Sequence, residues 1–182
     1  MTDARTRYSA VSLTLHWVIA ALVVGQILLI AAVDQEGPNA RTWAMLHKAD
    51  GILILLLTLG RIGWRLKHPM IPLPAETPRW QGLIARTVHV LFYVVLIAMP
   101  LTGWLASSAL DRPLPMYGLF DWPLLPVEGG RAVAAPMMDI HRALAKSLYI
   151  LLVLHLAGGL KHYFIDRNNV LQRMLPFLRR RA

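Results

Sequence analysis

The stretch MMDIHRALAKSLYILLVLHLAGGLKHYF, Met137–Phe164, decides how the rest of the chain is read. It is apolar, and as a helix it is long enough to cross a hydrocarbon core about 30 Å thick. Within it His141 and His155 stand fourteen residues apart. That spacing is close to four helical turns, so both imidazoles project from nearly the same face, about 21 Å apart along the axis. Ionisable side chains at membrane depth are costly and mark function. One helix thus offers an imidazole near each side of a bilayer.

The rest of the chain fits a membrane setting. Of 182 residues, 56% are hydrophobic and 16% charged, where a soluble domain carries about 25% charged residues. The apolar residues fall into four blocks, Leu13–Val33, Met45–Leu66, Leu83–Leu110 and Met137–Phe164. Each can span, so the expected fold is all-α, an integral membrane four-helix bundle forming a single domain over residues 1–182. Arg5 and Arg7 precede the first block, as they would in a signal peptide. The block exceeds the usual h-region of about 7–15 residues and contains His16-Trp17, so it is read as a retained helix. The sequence has no cysteine, which excludes disulfides, iron–sulfur clusters and haem attached through C-x-x-C-H.

A net charge of +9 invites a nucleic-acid reading, but its distribution points to membrane topology instead. Thirteen cations fall on one side: Arg5, Arg7, Arg61, Arg65, Lys67, Arg79, Arg86, Lys161, Arg167, Arg173 and Arg179–Arg181. Six fall on the other: Arg41, Lys48, Arg112, Arg131, Arg142 and Lys146. The positive-inside rule then places both termini and the Lys67–Trp80 loop in the cytoplasm. The Arg179–Arg181 cluster serves as a topology and lipid-headgroup anchor.

The connectors follow from their prolines. Asp34–Thr42 is short and carries Gly37-Pro38. His68–Thr77 holds Pro69, Pro72 and Pro74 and is followed by Pro78, so it is an extended connector, with His68 solvated. The outer loop, residues 111–136, is the longest. Its aromatics Tyr117, Phe120 and Trp122 favour the membrane boundary, so it is expected to fold over the outer face with a short interfacial helix. Pro100 falls inside the third helix and is read as a packing kink.

Alternating helix direction gives each histidine a depth. His47 and His141 lie near the outer side; His16 and His155 lie near the inner side. Two imidazoles from facing helices suit a b-type haem, whose fully ligated iron favours electron transfer over oxygen activation. The pairs His47/His141 and His16/His155 therefore suggest two haems. His89 lies at the depth of His155 and stays open as an alternative inner ligand or a neighbour of the inner haem. A metal-ion transporter is the competing use of membrane histidines, but such sites add thiolates or carboxylates. Here Asp50 and Asp139 lie only near the outer ends of the helices.

Several segments resemble the prokaryotic cytochrome b561 family: Thr14-Leu15-His16-Trp17, Leu46-His47-Lys48 with Gly51-Ile52, and Arg61 through Arg65. So do His89-Val90-Leu91-Phe92-Tyr93, Met99-Pro100-Leu101-Thr102-Gly103, His141 to His155, and the tail His162-Tyr163-Phe164 with Asn168 through Pro176. The similarity covers essentially the whole chain. It implies a four-helix, two-haem b cytochrome of the inner membrane, with two axial ligands from the last helix and one each from the first two. The short termini look like the small stand-alone members, which include the superoxide:ubiquinone oxidoreductase.

The expected function is therefore electron transfer across the inner membrane to the quinone pool, with oxidation of periplasmic superoxide and ubiquinone as acceptor. The alternative is an electron conduit or anchor for a dehydrogenase, a hydrogenase or a periplasmic redox partner. Trp17, Arg79 and His162, all near the inner boundary, are the expected quinone residues. Lys48 and Arg142, each following a proposed outer ligand, are expected to attract superoxide, with Arg41, Arg112, Arg131 and Lys146 adding to a basic rim.

Overall fold

A computed structural model describes residues 8–33, 37–175 and 177–178. Arg5, Arg7, Asp34, Pro176 and Arg179–Arg181 lie outside the described residues. The four helices are α1 (Ala10–Val33), α2 (Ala40–Lys67), α3 (Arg79–Ala109) and α4 (Gly130–Phe164), and each holds a span long and apolar enough to cross a membrane. Two short strands, β1 (Leu114–Met116) and β2 (Phe120–Trp122), join α3 to α4, and a 3₁₀ turn at Leu171–Arg173 follows α4.

All four helices start earlier than hydropathy suggests, α1 by three residues before Leu13. α2 begins five residues before Met45, α3 four before Leu83 and α4 seven before Met137. The added turns carry Arg41, Arg79 and Arg131, which no apolar window includes. At 35 residues α4 is about 52 Å long, so its first turns project past the hydrocarbon and need no apolar surface. Pro136, expected in the loop, lies in the second turn of α4. Gly129 caps that helix with a left-handed φ of +119°, and a Cβ there would fall 2.6 Å from Val133 Cγ2. Only glycine meets both conditions.

Successive helices run antiparallel. Gln26, late in α1, donates to the backbone carbonyl of His47, early in α2, at 2.9 Å. Trp64, late in α2, donates to Ser12 Oγ, early in α1, at 3.1 Å. One buried cluster draws on all four helices: Ile19 and Val23, Ile54, Val88, Val95 and Leu96, Leu148 and Leu151. The outward faces are apolar as well, with Leu28, Leu83, Ile150 and Val153 all more than 60% exposed. Large apolar side chains that turn outward along every helix are what a lipid solvent requires.

The connector between α3 and α4 is not helical, which corrects the expected interfacial helix. β1 and β2 pair antiparallel, Leu114 opposite Trp122 and Met116 opposite Phe120. Pro113, Pro115 and Pro123 deny this segment helical hydrogen bonds. Tyr117 and Gly118 both take positive φ at the turn, and Leu119 N–H closes it on Met116 C=O at 3.0 Å. The hairpin is fastened to the bundle. Met116 packs with Ala49 and Ile52, Trp104 donates to Pro123 C=O at 3.0 Å, and Tyr117 donates its hydroxyl to Asp50 Oδ1. Burial, and then Asp50, push the Tyr117 hydroxyl above its ordinary range, so it stays a donor at neutral pH.

The opposite end of the bundle is closed by the chain after α4. Trp17 Nε1 donates to Met174 C=O at 2.9 Å, and Arg173 donates to Pro72 C=O at 2.6 Å. His68 is not a solvated loop residue. It caps α2, stacks on Trp64 with ring centres 4.0 Å apart, and places Nδ1 3.1 Å from Trp64 C=O.

Candidate functional site

The histidines meet in two groups at opposite ends of the bundle. At the hairpin end, His47 of α2 faces His141 of α4 with ring centres 6.2 Å apart and planes at 74°. At the other end, His16 of α1 faces His155 of α4, again at 6.2 Å, with planes at 62°. Two imidazoles on opposite sides of one metal, with bonds of about 2 Å, have ring centres about 6 Å apart. Both pairs have that separation. His89 of α3 comes closer to His155, at 5.4 Å, and packs against it edge to face. Phe92 makes the same kind of contact with His155 from the next turn of α3.

The backbone of α3 orients His141. Its Nδ1 donates to Met99 C=O at 2.9 Å, which leaves Nε2 free to coordinate. Thr102 Oγ1 donates to the same carbonyl at 2.7 Å and stands 3.3 Å from His141 Nδ1. Pro100, beside that carbonyl, cannot donate to the helical ladder. Gly103 completes the cradle. A Cβ there would lie 3.3 Å from His141 Cε1, tight enough that the ring would have to give way slightly. Pro100 lines the same cleft as His141.

Between His47 and His141 opens a cleft with apolar walls of Val23, Ile54, Leu96 and Leu148. Gln26 and Gly51 line it too, and a Cβ on Gly51 would meet nothing within 4 Å. Gln26 Oε1 and His47 Nδ1 are buried there without a partner among the described residues. A slot with flat apolar walls and two facing imidazoles suits a macrocycle with a ligated iron. Among the described residues no three His, Cys, Asp or Glu side chains are placed to hold a bare metal ion.

The two cations beside the outer pair differ. Lys48 is half-buried and donates to Pro113 C=O at 3.2 Å, with the Arg112 charge nearby. Arg142 is exposed and forms a 2.6 Å ion pair with Asp139, also exposed. Such a pair contributes about 0–1 kcal/mol and partly cancels the arginine's field. Arg41, Arg112, Arg131 and Lys146 are exposed.

At the other end, Trp17 and His162 are engaged by neighbouring residues. Trp17 bonds Met174 and packs on His16, with ring centres 5.1 Å apart. His162 Nδ1 lies 2.9 Å from Asp166 Oδ2 and 3.1 Å from Asn168 Nδ2. The Lys161 ammonium, bonded to Asp166 at 2.7 Å, holds that carboxyl below its usual range. Arg79 opens α3 at an exposed position.

Sequence reasoning passed over Thr102 and Gly103 as supports of His141, and over Gln26. It also left Arg61, Arg65 and Tyr93 without a role. Arg61 Nε and Arg65 Nη1 both donate to Tyr93 Oη, at 3.3 and 2.8 Å. The available signals were an amide alone in an apolar helix and two arginines one turn apart inside a span.

The family described as prokaryotic cytochrome b561 matches residues 7–177. A cytochrome b561 homolog 2 from Escherichia coli K12 is 34% identical over 178 residues, covering 96% of this chain and 94% of the relative. A probable superoxide oxidase CybB from Yersinia pestis is 28% identical over 177 residues, covering 93% and 96%. A cytochrome b562 from Cereibacter sphaeroides is 27% identical over 175 residues, covering 92% and 94%.

Proposed function

This chain belongs to the prokaryotic cytochrome b561 family, haem b-binding electron-transfer proteins of the membrane, and from that premise we propose that it carries two haems and oxidises superoxide with ubiquinone as acceptor. His47 and His141 would hold one haem, His16 and His155 the other. The observation that carries the proposal is the 6.2 Å separation of the imidazole centres in both pairs. Bound there, haem would supply a one-electron iron couple. The hairpin end faces the periplasm and both termini the cytoplasm, as the thirteen-to-six cation bias favours.

The chain's own residues then divide the work. Two superoxide anions each give up one electron and leave as O2, and one ubiquinone takes two electrons and two protons to become ubiquinol. Lys48 and Arg142 attract the anion to the outer face. The Met99 carbonyl, Thr102 and Gly103 hold His141 in one tautomer and orientation. His162, with Nδ1 engaged by Asp166 and Asn168, keeps Nε2 to serve a quinone oxygen, beside Trp17 and Arg79 at the same end. The name of the Yersinia relative supports the superoxide role.

The function is tested by stopped-flow mixing of the oxidised protein with superoxide, followed by added ubiquinone. Fast reduction and then reoxidation are expected. Reduction no faster than that of a protein lacking an exposed redox centre would move the chain to the conduit role. His162→Ala should slow reoxidation by quinone several-fold with haem content unchanged, and an unchanged rate would remove His162 from the quinone site. Gly103→Ala adds a methyl against the His141 ring, a crowding that costs about 1–3 kcal/mol. It should perturb the optical spectrum and occupancy of one haem only, whereas a spectrum identical to wild type would remove Gly103 from the cradle.

A further inference from the structure

Two guanidinium groups lie near the inner histidines with no carboxylate among the described residues to balance them. Arg61 and Arg65 stand one turn apart on α2 and converge on the Tyr93 hydroxyl of α3. The Arg65 guanidinium also lies 5.6 Å from the centre of the Tyr93 ring. Among the described residues neither arginine forms a salt bridge. Arg61 Nη1 is buried and has no hydrogen-bond partner among the described residues. Arg61 is also close enough to act electrostatically on His16, His89 and His155, and Arg65 on His89.

Cations inside a membrane bundle pair with an anion or line a ligand path. Tyr93 accepts from both guanidiniums, so its own proton is left to donate. The cluster therefore sets one buried unpaired donor and two positive charges near the inner histidine pair. Two charges call for a dianion. An uncharged quinone would leave both cations unbalanced, whereas haem b carries two carboxylates, which arginine binds with two parallel hydrogen bonds.

We propose that Arg61, Arg65 and Tyr93 form an anion site that takes the carboxylates of the haem held by His16 and His155. The proposal rests on the haem assignment above. An anionic form of the quinone offers similar oxygen chemistry, so the experiment must separate the two sources.

The test measures haem loss from the full-length protein to an excess of apomyoglobin. Wild type and Arg61→Gln are each loaded with native haem or with its dimethyl ester, which lacks the carboxylates. In wild type, the ester should leave one of the two sites about tenfold faster than native haem or more, since a charge-assisted hydrogen bond is worth at least that factor. In Arg61→Gln, native haem and ester should leave that site at similar rates. Arg61→Lys should recover part of the difference. If Arg61→Gln does not assemble, the wild-type comparison still decides, and Tyr93→Phe removes one donor while keeping both charges.

Equal loss of ester and native haem from both wild-type sites would overturn the proposal. So would an Arg61→Gln variant that weakens only the binding of ubiquinone, which would assign the site to the quinone. Failure of the underlying haem assignment is seen separately. A His16→Ala variant that keeps both haems would remove the ligand this site serves before any loss rate is measured.

Discussion

Alanine at His47 or His141 is expected to leave the purified protein with one haem instead of two, and alanine at His16 or His155 to remove the other. Each pair stands with ring centres 6.2 Å apart, the separation that two imidazoles sharing one metal require. His89→Ala should keep two haems and change only the spectrum or potential of one. Its ring centre lies 5.4 Å from that of His155, an edge-to-face contact closer than a pair sharing one iron. Pyridine haemochrome counts on the five variants settle the set. A His89→Ala protein with one haem beside a His16→Ala protein with two would exchange the roles of these residues.

Charge reversal at Lys48 should slow haem reduction by superoxide by roughly tenfold at low ionic strength, within the range that electrostatic steering contributes. Arg142→Glu should have the smaller effect, because Asp139 already offsets that charge at 2.6 Å. The wild-type rate should fall as salt rises, since the steering field is screened over about 10 Å at 0.1 M. Lys48→Glu should flatten that dependence. Reduction indifferent to both salt and charge reversal would leave the basic rim without a role and favour electron delivery by a protein partner.

Much of this was legible in the sequence because a bilayer restricts the alternatives. Backbone groups in hydrocarbon must be satisfied within the segment, so an apolar block of spanning length has to be a helix. Antiparallel helices then make depth a linear function of residue number. That is why His47 could be set against His141, and His16 against His155, without coordinates. Helix starts were illegible for the same reason in reverse. Arg41, Arg79 and Arg131 lie in turns beyond the hydrocarbon, where helix and loop compositions are alike.

What depends on rotation about a helix axis could not be read. The Met99 carbonyl and Thr102 reach His141 across two helices, and no spacing within one helix reveals that contact. The hairpin was misjudged because its aromatics suggested an interfacial helix and its prolines were not weighed against one. Tyr117-Gly118, between apolar and aromatic pairs, was the turn signal that went unused. His68 next to Pro69 looked solvated, and only the fold brings it back over Trp64.

The claim on which everything else depends is that one chain holds two haems, one at each end of the bundle. Its most direct test is absolute haem content by pyridine haemochrome, with protein quantified by amino-acid analysis on the same sample. The account predicts two b haems per chain. A fully loaded protein with one haem, or with none, would contradict it.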